Sequence, residues 1–188
     1  MNPLKYLPLL FIGLSLWGCR EESDARRAET AYRHWQGEKI VFPQGLQARI
    51  MGRDTSCADM LEAKAKILVY INSTGCSPCK MELAAWSLRL QEIDTMRHKP
   101  ALLYVINTNN FRELDLGLKY QGFDYPVFYD VDRQMERLNE KLSGSTVNTF
   151  LLDRDNRVVL IGSPAHKDKL WELYKEQVER LFSPGENK

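Results

Sequence analysis

Two cysteines separated by two residues, Cys76 and Cys79, lie in the stretch Ile71–Met81, which reads INSTGCSPCKM. An apolar run precedes them and a helical pattern follows. Several chemistries are open to such a pair. As thiolates they could hold zinc, provided a second ligand pair exists elsewhere. As a bridge they could staple a loop, a use that oxidising compartments favour. As a nucleophile and its resolving partner they could exchange disulfides. There is no second CxxC, and His34, His98 and His166 are widely scattered, so no metal site is expected. A bridge across two residues closes a very small loop and constrains the unfolded chain little. The same two thiols could also deliver a metal, as a metallochaperone does, which titration with metal at neutral pH would test.

Redox exchange fits the setting best. Cys76 falls where a loop meets a helix N-terminus, so unpaired backbone N–H groups and the helix dipole favour its thiolate. Such positions lower a cysteine pKa from ~8.5 to ~3.5–7.5, and the thiolate is the attacking species. Cys79, one turn later, continues the apolar stripe of the following helix and is expected to be shielded. Cys76 is therefore cast as nucleophile and Cys79 as resolving thiol. Between them stand Ser77 and Pro78; the proline removes a donor where the first helical turn has no use for it and stiffens the loop.

The flanking pattern must supply that junction. Ile67–Ile71 is a continuous apolar, β-branched run and reads as a buried strand. Leu83, Trp86, Leu90 and Ile93 repeat at helical steps after the cysteines. Ala101–Asn107 reads as a second buried strand, Phe111–Tyr120 as a helix, Pro126–Val131 as a strand and Arg133–Leu142 as a polar helix. Thr149–Asp153 and Arg157–Ile161 flank Arg154-Asp155-Asn156 as a hairpin, and a last helix runs from about Lys167 to Phe182. Ahead of the core, Lys39–Phe42 and Leu46–Met51 around Pro43-Gln44-Gly45 read as an extra hairpin. Ser56 and Asp59 are spaced as a capping box for a brief helix. Strands alternating with helices imply an α/β layer fold with a mixed sheet.

The N-terminus sets the compartment. Lys5 precedes an apolar run from Leu7 to Trp17, too short for a membrane span but proportioned as a secretory signal. It closes on Leu16-Trp17-Gly18-Cys19, which resembles a bacterial lipobox. That resemblance implies removal of residues 1–18, lipidation of Cys19, and a mature chain held to a membrane. Arg20-Glu21-Glu22 resembles the charged tag of surface-exported lipoproteins, but three residues carry little signal and a solvated charged tether is the favoured reading. Residues 19–38 read as tether or loosely docked helix, and residues 39–188 as one domain. With 26 basic and 25 acidic residues among 188, net charge is +1 and no basic cluster exists, against nucleic acid as a partner.

Strand, CxxC, strand–helix unit, hairpin and closing helix together resemble the thioredoxin fold, and most closely the extracytoplasmic TlpA/ResA-like thioredoxins. ILVYINSTGCSPCKMEL resembles their strand–W-C-x-P-C-x-x-E segment, with Pro78 and Glu82 in matching places. Thr149–Pro164, TFLLDRDNRVVLIGSP, resembles their terminal hairpin. The resemblance implies a membrane-anchored thiol–disulfide oxidoreductase of the bacterial cell envelope, on the periplasmic side or the cell surface. It would reduce protein disulfides, need no cofactor, and draw electrons from a membrane donor. Three positions depart from the pattern. Gly75 replaces the tryptophan before the first cysteine, Tyr70 stands where the family's buried acid is found, and Val147 occupies the place of the cis-proline. A non-proline cis bond costs ~2.5–4 kcal/mol, so a trans bond is expected at Val147. The departures keep a second function in view, a non-catalytic thioredoxin-like lipoprotein serving as a binding or assembly module. Cys57 is left over, as a small core residue, an inert thiol, a second resolving thiol or an attachment point.

Overall fold

The computed structural model describes residues 25–72 and 81–183, and the chain divides into two units at Gln36 and Gly37. The expected signal segment, Cys19, the charged tag and the cysteine segment 73–80 lie outside the described residues. In the first unit, residues 25–35 form helix α1, with Arg33 paired to Glu29 one turn earlier at 2.6 Å. Among the described residues no helix is long and apolar enough to cross a membrane.

The second unit is built on a mixed sheet. Its strands are β1 (Gln47–Ile50), β2 (Arg53–Thr55), β3 (Lys66–Ile71), β4 (Ala101–Asn107), β5 (Val127–Asp130), β6 (Thr149–Leu152) and β7 (Val158–Ile161). They lie in the order β2-β1-β5-β4-β3-β6-β7. β3, β4 and β5 run parallel, so their C-terminal ends share one edge; β6 runs antiparallel to β3 on the other side. The helices are α2 (Ala58–Leu61), α3 (Leu83–Thr95), α4 (Phe111–Tyr120), α5 (Gln134–Leu138) and α6 (Asp168–Phe182).

The period-two alternation of the central strands sorts their side chains between two faces. Val69, Ile71, Tyr104, Ile106 and Val127 join Trp86 of α3, Leu114 and Leu118 of α4, and Trp171 and Tyr174 of α6 in one core. The opposite face carries Leu68, Tyr70, Val105, Phe128 and Asp130, all buried. Buried on both sides, β3 and β4 read as continuous apolar runs, which is why both were legible.

The N-terminal hairpin is displaced from its expected place. Residues 39–42 form no strand of it: Lys39 bridges Arg157, and Ile40 donates its amide to the Asn156 carbonyl along the β7 side. The hairpin is β1–β2, joined through Met51 and Gly52 at φ 48° and 80°, the paired positive φ of a tight hairpin turn. The Pro43-Gln44-Gly45 signal marks a turn between the two stretches, without pairing them. The capping box is absent as well; Cys57 takes the N-cap place of α2 with no side-chain cap bond. The polar helix expected over Arg133–Leu142 is split into α5 and a 3-10 turn, Glu140–Leu142.

Arg49 ties the hairpin to the domain. Its guanidinium meets Asp54 at 2.7 Å and Asp115 of α4 at 3.1 Å, and lies over the rings of Phe111 and Tyr129. Gly52 sits against the same carboxylate. A Cβ there would fall 2.9 Å from the Asp115 side chain on a left-handed backbone. Gly52→Ala is therefore expected to lower unfolding free energy by about 1–3 kcal/mol, through strain and a displaced Asp115. An unchanged denaturant midpoint would contradict it.

Candidate active site

Cys76, Ser77, Pro78 and Cys79 lie outside the described residues, but both attachment points of their segment are described. On the entry side β3 ends at Ile71. On the exit side Met81 is buried, and its carbonyl accepts a hydrogen bond from the Tyr104 hydroxyl of β4. Glu82 follows in a left-handed conformation, φ 50° and ψ 30°. Its carboxylate accepts the Ser163 hydroxyl at 2.9 Å and lies 3.6 Å from His166 Nε2. These contacts hold a conformation that costs a non-glycine residue of order 1–3 kcal/mol.

The break at Glu82 corrects one expectation. The stripe running backward from Leu83 toward Cys79 does not belong to one uninterrupted helix. α3 begins at Leu83, with Glu82 as its N-cap and the Glu82 carbonyl accepting the Trp86 amide at 3.0 Å. Within α3 the expected stripe is present: Leu83, Trp86 and Ile93 are buried, and Leu90 packs beside them.

Val147 sits in the turn that leads into β6. Ser145 Oγ accepts the Val147 amide at 3.0 Å and donates to its carbonyl at 2.9 Å. The next residue, Asn148, accepts the Tyr70 amide at 2.8 Å, which fixes this turn beside the exit of β3. Peptide bonds among the described residues, that of Val147 included, are trans.

Tyr70 is not an isolated substitute for an acid. Its hydroxyl donates to Asp130 Oδ2 at 3.1 Å, two strands away on the same sheet face. Asp130 is fully buried, and its other oxygen accepts the Met135 amide at 3.1 Å. Burial, then the nearby Asp130 charge, hold the Tyr70 hydroxyl protonated far above the ordinary tyrosine range. A buried acid is thus present at the edge where the cysteine segment leaves the sheet, supplied by β5 instead of β3. Its sequence signal was the aspartate ending the apolar run Val127–Asp130.

Burial pushes the Asp130 carboxyl above the usual aspartate range, against the Met135 amide and Tyr70 hydroxyl, which favour the charged form. A carboxyl raised on folding binds its proton more tightly in the native state. Its contribution to stability is present below the unfolded-chain value and is lost as pH rises through the native value. Relative to Asp130→Asn, which cannot titrate, the wild-type protein should lose stability as pH rises from about 4, with no further relative change once Asp130 is ionised. Paired denaturation curves across pH measure this; a constant difference throughout would contradict it.

On the flank away from Val147, a cleft of about 1170 Å³ opens between the ends of β4 and β5 and the helices α3 and α4. Met81, Leu83, Leu114 and Leu118 form its back, and Asn107, Glu113, Arg133 and Arg137 are among its polar lining. Asn107, buried, donates to the Asp130 carbonyl at 2.7 Å. Cys57 is a free, half-buried thiol before α2.

No family model matches the chain, and no curated protein sequence matches it. Solved structures do. A candidate thiol:disulfide interchange protein DsbE from Chlorobium tepidum is 18% identical, with a TM-score of 0.51 over 76% of this chain and 96% of its own. A candidate protein disulfide isomerase from Bacteroides thetaiotaomicron, also 18% identical, gives 0.54 over 79% and 91%. A peroxiredoxin Q variant from Xanthomonas campestris, 16% identical, gives 0.51 over 76% and 99%. At such identities the likeness speaks for architecture: this chain has a thioredoxin-like fold, a mixed sheet flanked by helices with an added N-terminal hairpin.

Proposed function

We propose that this chain is a thiol–disulfide oxidoreductase of the bacterial cell envelope, a TlpA/ResA-like lipoprotein anchored through lipid on Cys19, that reduces protein disulfides. One observation carries the proposal: a CxxC segment stands between β3 and α3 of a thioredoxin-like fold. The Cys76 thiolate attacks one sulfur of a substrate disulfide. That S–S bond breaks, a mixed disulfide forms, and the departing thiolate takes up a proton. Cys79, losing its proton, attacks Cys76 and releases the second substrate thiol. The substrate gains two electrons and the protein is left with a Cys76–Cys79 disulfide. A dithiol electron donor in the membrane restores the thiols. Ser77 and Pro78 set the geometry between the sulfurs. Glu82, clamped by Ser163 and His166, and Tyr104, on the Met81 carbonyl, anchor the exit of the segment.

Trapping tests this directly. Cys79→Ser in the full chain should accumulate mixed disulfides on Cys76 with envelope proteins. A Cys76 that alkylates readily yet forms no adduct would contradict the proposal.

The trans bond at Val147 favours a second reading, an anchored binding or assembly module whose cysteines are a relic. A Cys76 pKa at or above ~8.5 would select it.

A further inference from the structure

The cleft that Met81 and Leu83 line holds an unexplained glycine. Gly117 lies within α4, where glycine costs roughly 0.5–1 kcal/mol relative to alanine. Sterically it is not required: among the described residues a Cβ there would meet no atom within 4 Å, and no positive φ calls for glycine. The room it leaves opens into the cleft, between Leu114 and Leu118 of the same helix.

We infer that this cleft seats an extended segment of the protein whose disulfide is reduced, with one apolar side chain lying over Gly117 against Leu114 and Leu118. The inference rests on the oxidoreductase reading and names where the substrate docks. Four observations choose this occupant. The volume, about 1170 Å³, exceeds the ~300–1,000 Å³ usual for small ligands and suits several residues of chain. An apolar back with a polar rim, here Asn109, Gln121 and Arg137, is the anatomy of a protein interface. The rim includes Asp132 and Arg133, consecutive non-glycine residues at φ 56° and 55°, a strained turn of the kind found at binding sites. Last, Met81 lines the cleft and follows Cys79 by two residues, so chain length alone keeps the two Cα atoms within ~7 Å. The docking place lies on the β4–β5 flank, away from the Val147 turn.

The test compares two disulfides on the full chain, insulin and the small hydroxyethyl disulfide. Gly117→Trp should fill the cleft. It is expected to lower kcat/KM for insulin about tenfold or more, chiefly through KM, and to leave hydroxyethyl disulfide within about twofold. If Gly117→Trp shifts the denaturation midpoint, Gln121→Trp, at an exposed rim position, carries the same comparison. Equal losses on both substrates, or no loss on insulin, would overturn the docking inference while leaving the redox chemistry standing. A wild-type chain that reduces neither disulfide removes the oxidoreductase reading, and the inference with it.

Discussion

Replacing Cys76 with serine should remove disulfide reduction, by at least about 10³-fold, the scale on which loss of a nucleophile acts. Serine is nearly isosteric, so the fold is expected to persist. Its hydroxyl does not ionise in the range where a helix terminus lowers a thiol, and without an anion no mixed disulfide forms. Cys57→Ser is the matched control. Cys57 is half-buried at the start of α2 and belongs to another part of the chain, so its loss should leave the rate within about twofold. Insulin reduction by the purified chain, fed with a dithiol, reads both variants. Full activity in Cys76→Ser, or equal loss in Cys57→Ser, would contradict the assignment of roles.

The largest effect on stability is expected at Trp86. It is fully buried in the core that α3 shares with the sheet, four residues beyond the break at Glu82. Truncation to alanine deletes the indole and leaves a cavity that rigid strands on one side cannot close. Large aromatic truncations of this kind cost about 3–5 kcal/mol. Set against a typical total of about 5–15 kcal/mol, that is a large share. Among the described residues the indole nitrogen has no hydrogen-bond partner, so the loss is one of packing and apolar burial. Chemical denaturation of Trp86→Ala measures it, and a loss below about 1 kcal/mol would show that α3 is not docked as described.

What the chain betrays of its fold follows burial. β3 and β4 are covered on both faces, so their apolar runs are unbroken and their bounds could be read within a residue. α6 is amphipathic, and Tyr174 and Val178 fall where its stripe places them. The N-terminal hairpin is displaced from the apolar runs that suggest it, because short exposed strands carry little apolar signal. Arg53-Asp54-Thr55 holds no apolar residue at all, and Asp54 earns its place through Arg49. Tertiary contacts hid the rest. The left-handed turn at Glu82 depends on Ser163 and His166, some eighty residues away, and no local pattern announces it. The acid expected at residue 70 could not be found by position, because it reaches Tyr70 from β5 across the sheet. The CxxC spacing is plain in the sequence, and the roles proposed for Cys76 and Cys79 rest on that spacing, since the pair lies outside the described residues.

The acidity of Cys76 tests the central claim most directly. Alkylation rate against pH, on the full chain with its other cysteines replaced by serine, reports the thiol pKa. A value of about 7 or below fits a thiolate poised for attack; a value at or above about 8.5, that of an ordinary cysteine, would contradict it.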